Sequence, residues 1–365
     1  MMADSRLAAV RRRMASERVP ALIVTEVANV RYLTGFENVF DDDANVALLV
    51  TSEIARVYTD ARYSEAAEEA AAGTPWVLRV PADTMYVHLC DELASDGIEH
   101  VVVESSVPYG RFRFISEKFG GKVQVIDQWI EEVRQVKEAA EIERIAAAAA
   151  LTDRTFDHIV GQLVLGMREC DIALDIECYM RRNGAQDVAF PPIVASGPNS
   201  SRPHARVSTR GLERGDLLTI DMGALVDGYC ADMTRTVVIG EANDRQRETY
   251  DAVRASNEAG IAAVRPGIPG MDIDAAARAV LTARGLGDYF THGLGHGVGT
   301  RVHELPSVGP RGRESVLAGS VITIEPGVYV PGFGGVRIED LVVVDEAGAR
   351  LLSHSPKELI EVRVD

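Results

Sequence analysis

The sequence predicts a two-domain protein: an α/β N-terminal domain followed by a larger α+β domain built from an internal pseudo-two-fold repeat. Three observations carry this. The 365 residues exceed the roughly 100–200 of a typical domain. Short apolar runs alternate with helical patterns over the first third. The remainder then matches itself about a hundred residues on.

In the first third, helical periodicity falls on Asp4–Arg18, Tyr63–Ala72 and Tyr86–Leu93. Between these lie the strand-like runs Ala21–Thr25, Ala47–Val50, Val77–Val80 and Val101–Val103. Asp41-Asp42-Asp43 reads as a solvated loop tip. Residues 1–127 make the first domain and 128–365 the second, with Gln128–Lys137 as connector. The Ala- and Glu-rich stretch Glu138–Gly161 opens the second domain as a long helix.

Within the second domain, Gly166 and Cys170-Asp171-Ile172 return as Gly267 and Met271-Asp272-Ile273, 101 positions later. Gly215–Gly223 returns as Gly319–Gly327, so that Asp221 falls on Glu325. Asp232 in the return strand falls on Glu339 in Val336–Asp340. The unit is helix, helix, hairpin, repeated twice, with two carboxylates on each hairpin. Asp221 and Asp232 flank the turn Val226-Asp227-Gly228, which makes them opposite or diagonal neighbours, with Cβ atoms about 5–8 Å apart.

Converging carboxylates at the end of apolar strands repel one another and resist ionisation unless a cation compensates them. His296, inside the glycine-rich run His292–Gly299, adds an imidazole where glycine lets the backbone approach closely. Asp221, Asp232, His296, Glu325 and Glu339 form a mostly oxygen donor set. It suits Mn²⁺ first, with Co²⁺, Zn²⁺ and Fe²⁺ as alternatives. Five side chains are too many for one catalytic ion with an open position, and they fit two divalent ions sharing carboxylates. Arg337, two residues before Glu339, is placed to neutralise surplus negative charge or to form a plain salt bridge. Tyr229 is placed to orient a ligand from behind or to pack. Asp340 reads as a solvated strand neighbour and Asp227 as a turn residue.

The segments Ile220–Thr236, His292–Gly299, His303-Glu304-Leu305-Pro306, Glu325-Pro326-Gly327 and Arg337–Asp340 resemble the pita-bread metallopeptidases. Within them the likeness is to the Xaa-Pro peptidases, aminopeptidase P and prolidase. Arg31–Phe36 and Thr59–Tyr63 are similar to the creatinase-like N-terminal domain of those enzymes. The resemblance implies a C-terminal catalytic domain with a curved antiparallel sheet. Asp221 would chelate one metal, His296 and Glu325 the other, and Asp232 and Glu339 would bridge. Glu325 would also shuttle a proton. His204, His292 and His303 would contact substrate and a developing oxyanion. A homodimer and peptide substrates with proline in second place are implied too. Aminopeptidase P is the first expectation, because no positive charge follows His303 before Arg311 to meet a dipeptide's carboxylate. Prolidase is the alternative. Methionine aminopeptidase-like cleavage, creatinase-like C–N hydrolysis and an inactive binding scaffold are the rivals.

Composition narrows the partners. A formal net charge of −17 argues against nucleic acid and anionic membranes, which need Lys and Arg clusters. Cys90, Cys170, Cys178 and Cys230 make no CxxC pair and read as free thiols of a reducing compartment. The N-terminus lacks the apolar core of a signal peptide, and no apolar run reaches membrane-spanning length. The expected location is cytoplasmic. His88, His100, His158 and His354 are read as structural.

Overall fold

The computed structural model describes residues 2–36 and 38–364. The chain forms two compact units, Met1–Arg134 and Gln135–Asp365.

The first unit is a six-stranded mixed sheet. Its order is Val77–Arg79, Ala55–Tyr58, Ala47–Val50, Leu22–Val24, His100–Glu104 and Lys122–Ile126. The strand Leu22–Val24 pairs antiparallel with Ala47–Val50 and parallel with His100–Glu104. Alternate residues serve opposite faces. Leu22, Val24, Leu48, Val50 and Val102 enter one core, and Ile23, Leu49, Val101 and Val103 the other. A sheet covered on both sides gives continuous apolar runs, which is why these strands are readable. Ala55–Tyr58 and Lys122–Ile126 carry charged or polar residues and give no such run. The expected connector contains a helix, Trp129–Gln135.

The second unit repeats as the sequence does. Helices Ala139–Val160 and Glu169–Arg182 precede strands Leu217–Met222 and Met233–Ile239. Helices Asp244–Ala263 and Gly270–Ala283 precede strands Val321–Ile324 and Asp340–Asp345. In each half, one face of the hairpin is covered by its own helices. Leu218, Ile220 and Met222 pack with Phe156, Ile172 and Ile176. Ile322, Ile324 and Val342 pack with Val253, Ile273 and Ala277. The pleat therefore turns Thr219 and Asp221, and likewise Thr323 and Glu325, to the other face.

Asp221 lies opposite Thr234, so Asp232 is its diagonal neighbour. Asp227 and Gly228 turn the tip of this hairpin with φ of 47° and 77°, the paired positive values that a two-residue hairpin turn demands. In the second half, Ile324 lies opposite Asp340. The next step of that register sets Glu325 across from Glu339.

The halves are stitched by buried polar contacts. The Glu339 N–H donates to Thr234 O at 3.0 Å. Thr236 Oγ1 donates to Arg337 O at 3.0 Å. Within the second half, Asn257 Nδ2 donates to Ile324 O at 2.9 Å and holds helix Asp244–Ala263 to its strand. Asp340 is not solvated as the sequence suggested. It is 1% exposed, takes Arg235 Nη2 at 2.7 Å and Lys357 Nζ at 2.9 Å, and holds the two hairpins together. The sequence around it cannot show this, because both cations arrive from distant segments. Removing one partner of a buried pair strands the other charges. Asp340→Ala should therefore lower unfolding free energy by about 3–5 kcal/mol, measured by urea denaturation of metal-free protein. A loss below about 1 kcal/mol would show the network to be dispensable.

Candidate metal centre

Asp221, Asp232, His292, His296, His303, His204, Glu325, Arg337 and Glu339 all line one cavity of about 560 Å³. Its other wall is apolar, with Phe190, Pro191, Ile193, Pro203 and Ala205.

Donor atoms of Asp232, His296 and Glu339 lie within 4.8 Å of one another. Glu325 Oε1 is 3.4 Å from His296 Nε2, and Asp232 Oδ2 is 3.6 Å from it. His296 Nδ1 lies 3.1 Å from Gly297 O. A carbonyl can only accept, so the proton sits on Nδ1 and the Nε2 lone pair faces the carboxylates. Burial holds the pKa of His296 down to about 4, so the ring is neutral and available as a ligand.

Two of the four carboxylates, Glu339 and Asp221, are oriented by neighbouring side chains. Thr234 Oγ1 donates to Glu339 Oε2 at 2.7 Å and accepts Arg337 Nε at 2.9 Å. Arg337 Nη2 donates to Asp221 Oδ2 at 2.6 Å, and its Nη1 donates to the Tyr329 hydroxyl at 2.8 Å. Asp221 Oδ1 is buried without a hydrogen-bond partner. A desolvated carboxylate oxygen left open is costly, and a cation in the cavity would satisfy it. Burial first, and then the neighbouring carboxylates, push Asp232 and Glu325 well above the ordinary carboxyl range and Glu339 up to about 8. The donor set, the open oxygen and the resistance to ionisation all fit divalent metal.

Of the two residues expected behind the ligands, Arg337 binds Asp221 directly. Tyr229 goes elsewhere: its hydroxyl donates to Glu141 Oε1 at 2.9 Å, tying the hairpin tip to helix Ala139–Val160. His292 has its ring nitrogens engaged, Nδ1 with Gly293 O at 2.7 Å and Nε2 with the Tyr329 hydroxyl at 3.0 Å. Burial lowers its pKa to about 4. His303 is also lowered by burial, and its ring lies 4.2 Å from that of His296. His204 is exposed at the cavity edge.

Sequence reasoning missed Thr234, Tyr329 and Arg235. Thr234 could have been found as the cross-strand partner of Asp221. Arg235, a charged residue inside the apolar strand Met233–Ile239, was a signal of burial with a partner.

The family model for metallopeptidase family M24 matches residues 143–346, and that for the creatinase/prolidase N-terminal domain matches 6–136. The chain is 35% identical to an Xaa-Pro dipeptidase of Pyrococcus horikoshii over 95% of this chain and 96% of that one. A solved Xaa-Pro dipeptidase from Bacillus anthracis superposes with a TM-score of 0.92 at 32% identity, covering 100% of both chains. An X-Pro aminopeptidase from Thermotoga maritima superposes with a TM-score of 0.85 at 34% identity, covering 96% of this chain and 100% of that one. Among the described residues no helix is long and apolar enough to cross a membrane.

The raised carboxylates give a pH prediction for metal-free protein. Glu339 has a folded value of about 8 against an ordinary 4.5. Its contribution to stability is therefore complete below the unfolded pKa and is lost as pH rises through the folded one. The melting temperature of chelated protein should fall between about pH 5 and about pH 9, and added Mn²⁺ should recover most at the alkaline end. A flat profile would contradict the burial of these groups as acids.

Proposed function

We propose, from the premise that this chain belongs to metallopeptidase family M24 and carries a creatinase/prolidase N-terminal domain, that it is an Xaa-Pro dipeptidase. The observation that carries this reading is the likeness to the Pyrococcus horikoshii Xaa-Pro dipeptidase over nearly the full length of both chains. The cavity supports it. An apolar wall with Phe190, Pro191 and Ile193 suits a pyrrolidine ring, which has a fixed φ and no N–H to satisfy.

Family membership implies divalent metal, and we assign two ions, Mn²⁺ by preference with Co²⁺, Zn²⁺ or Fe²⁺ as alternatives. Charge counting favours two over one. Asp221, Asp232, Glu325 and Glu339, when ionised, bring four negative charges against the single positive charge of Arg337. One divalent ion leaves the site negative. Two leave one positive charge, room for one further anion. Asp221, Asp232, His296, Glu325 and Glu339 would hold the ions. Such a pair supplies a water of lowered pKa and a Lewis acid for the scissile carbonyl.

The chain's own residues do the rest. Glu325 takes the proton of the attacking water and passes it to the departing proline nitrogen. Thr234 keeps Glu339 aimed inward, and Arg337 keeps Asp221 turned so that Oδ1 stays open. His303 and His204 flank the cavity as donors for the substrate carbonyl and its developing negative charge. His292 completes the wall against which the substrate lies.

The dipeptidase reading reverses the order drawn from the loop after His303. A cation for the dipeptide's carboxylate need not be a sequence neighbour of that histidine. Aminopeptidase P is the second reading, favoured by the likeness to the Thermotoga maritima enzyme. We also assign a homodimer and a cytoplasmic location. The free state of Cys90, Cys170, Cys178 and Cys230 supports the latter.

The test is hydrolysis by Mn²⁺-loaded protein of an Xaa-Pro dipeptide, an Xaa-Pro-Yaa tripeptide and an Xaa-Ala control. The dipeptide should be cut fastest and the control not at all. Faster tripeptide cleavage would establish the aminopeptidase instead. Glu325→Ala should lower kcat by roughly a hundredfold or more while leaving a folded protein. Near wild-type turnover in that variant would sink the proton-transfer role.

A further inference from the structure

Helix Gly270–Ala283 carries an ion pair that the metal chemistry does not use. Asp274 is 2% exposed. Arg278 Nε and Nη2 fork onto its two oxygens, each at 2.9 Å. The guanidinium reaches further. Nη1 donates to Phe290 O at 2.8 Å and Nη2 to His292 O at 2.8 Å. Its carbon lies 4.0 Å from the centroid of the Phe290 ring. That ring meets His292 edge-on, at 5.1 Å and 89°. Asp274 Oδ1 also accepts the Leu294 N–H at 3.0 Å. One planar cation and its counter-ion thus fix two carbonyls, one amide and one ring within Phe290–Leu294.

The segment so held is the one that presents His292. On its far side the imidazole is fixed by the Tyr329 hydroxyl, which donates to Nε2 and itself accepts from Arg337. A hydrogen-bonded line therefore runs from helix Gly270–Ala283 through His292 and Tyr329 to Arg337 and Asp221. Only the first link depends on Arg278.

We infer that Arg278, set by Asp274, is a positioning residue for His292, holding Phe290–Leu294 so that the imidazole stands at the cavity wall in one tautomer and one orientation. The inference rests on the reading of His292 as part of the wall that faces the substrate. Lysine cannot take this role, because an ammonium has no planar fork with which to hold two carbonyls and a carboxylate together. Misplacement by about 1 Å is enough to slow a positioned reaction.

The test uses Mn²⁺-loaded protein. Arg278→Lys keeps the charge and loses the fork. Asp274→Asn combined with Arg278→Met removes the pair without stranding a buried carboxylate. Both should lower kcat on an Xaa-Pro dipeptide roughly tenfold or more, with KM, metal content and melting temperature near wild type. In a His292→Ala background the same changes should cost less than about twofold. ¹⁵N-histidine NMR, recorded on protein loaded with diamagnetic Zn²⁺, gives a readout independent of turnover. The His292 signals should show the Nδ1–H tautomer in the parent and a mixture in Arg278→Lys. Equal losses with and without His292, an unchanged His292 tautomer, or kcat falling only in step with lost metal or melting temperature would each overturn the positioning role. A His292→Ala protein with full activity would instead remove His292 from the substrate wall, and the NMR comparison would still decide whether Arg278 orients it.

Discussion

The rest of the catalytic unit depends on one electrostatic constraint: several carboxylates are taken out of water into a single cavity. Taken alone, such groups keep their protons, and the raised values of Asp232, Glu325 and Glu339 express that. The fold nevertheless brings them there by covalent design. Each hairpin buries one face under its own helices and is left with a threonine-and-carboxylate face turned the other way. The threonines are the group best suited to that face, since a hydroxyl both accepts from Arg337 and donates to Glu339 at the same position, as Thr234 does.

The two halves share a plan and differ where the chemistry needs it. Asp221 and Asp232 are diagonal across their ladder, while Glu325 and Glu339 face each other at the end of theirs. Asp221 is the carboxylate given a cationic partner, and it is also the one with an open oxygen. Arg337 therefore neutralises one charge without closing the site. Arg235 joins the hairpins through Asp340 and also donates to the backbone carbonyl of Glu339, while Lys357 takes the other oxygen of Asp340. Arg337 thus orients a carboxylate, Arg235 joins strands, and Lys357 covers a buried negative charge.

Much of this was legible in the sequence because it repeats. Helices Glu169–Arg182 and Gly270–Ala283 coincide end to end at the 101-residue offset, and the matched carboxylates stand at matched strand ends. Periodicity and spacing reveal what a residue's own neighbours dictate. They do not reveal partners brought from far along the chain. Asp340 looked solvated because Arg235 lies 105 positions away. Tyr229 looked like a support for the ligands because Glu141 lies 88 positions away. Arg278 drew no notice, since a helical arginine four residues after an aspartate is usually an exposed pair. Here the aspartate is buried and the arginine reaches Phe290 and His292.

The histidines do not supply the positive charge that would balance the carboxylates. An imidazolium beside Asp232 or Glu325 would offset a negative charge at no cost in cofactor. Burial prevents it: His292 and His296 are held near 4, and His303 is lowered as well. Neutral rings leave the carboxylates without a cationic histidine beside them. They also leave each imidazole with a single proton whose direction is set by its neighbours. His296 turns that proton to Gly297 O and its lone pair toward the carboxylates. His292 turns its proton to Gly293 O and takes the Tyr329 hydroxyl. The same desolvation that makes the carboxylates demand a cation thus prevents the histidines from answering the demand, while backbone carbonyls fix the tautomers of His292 and His296.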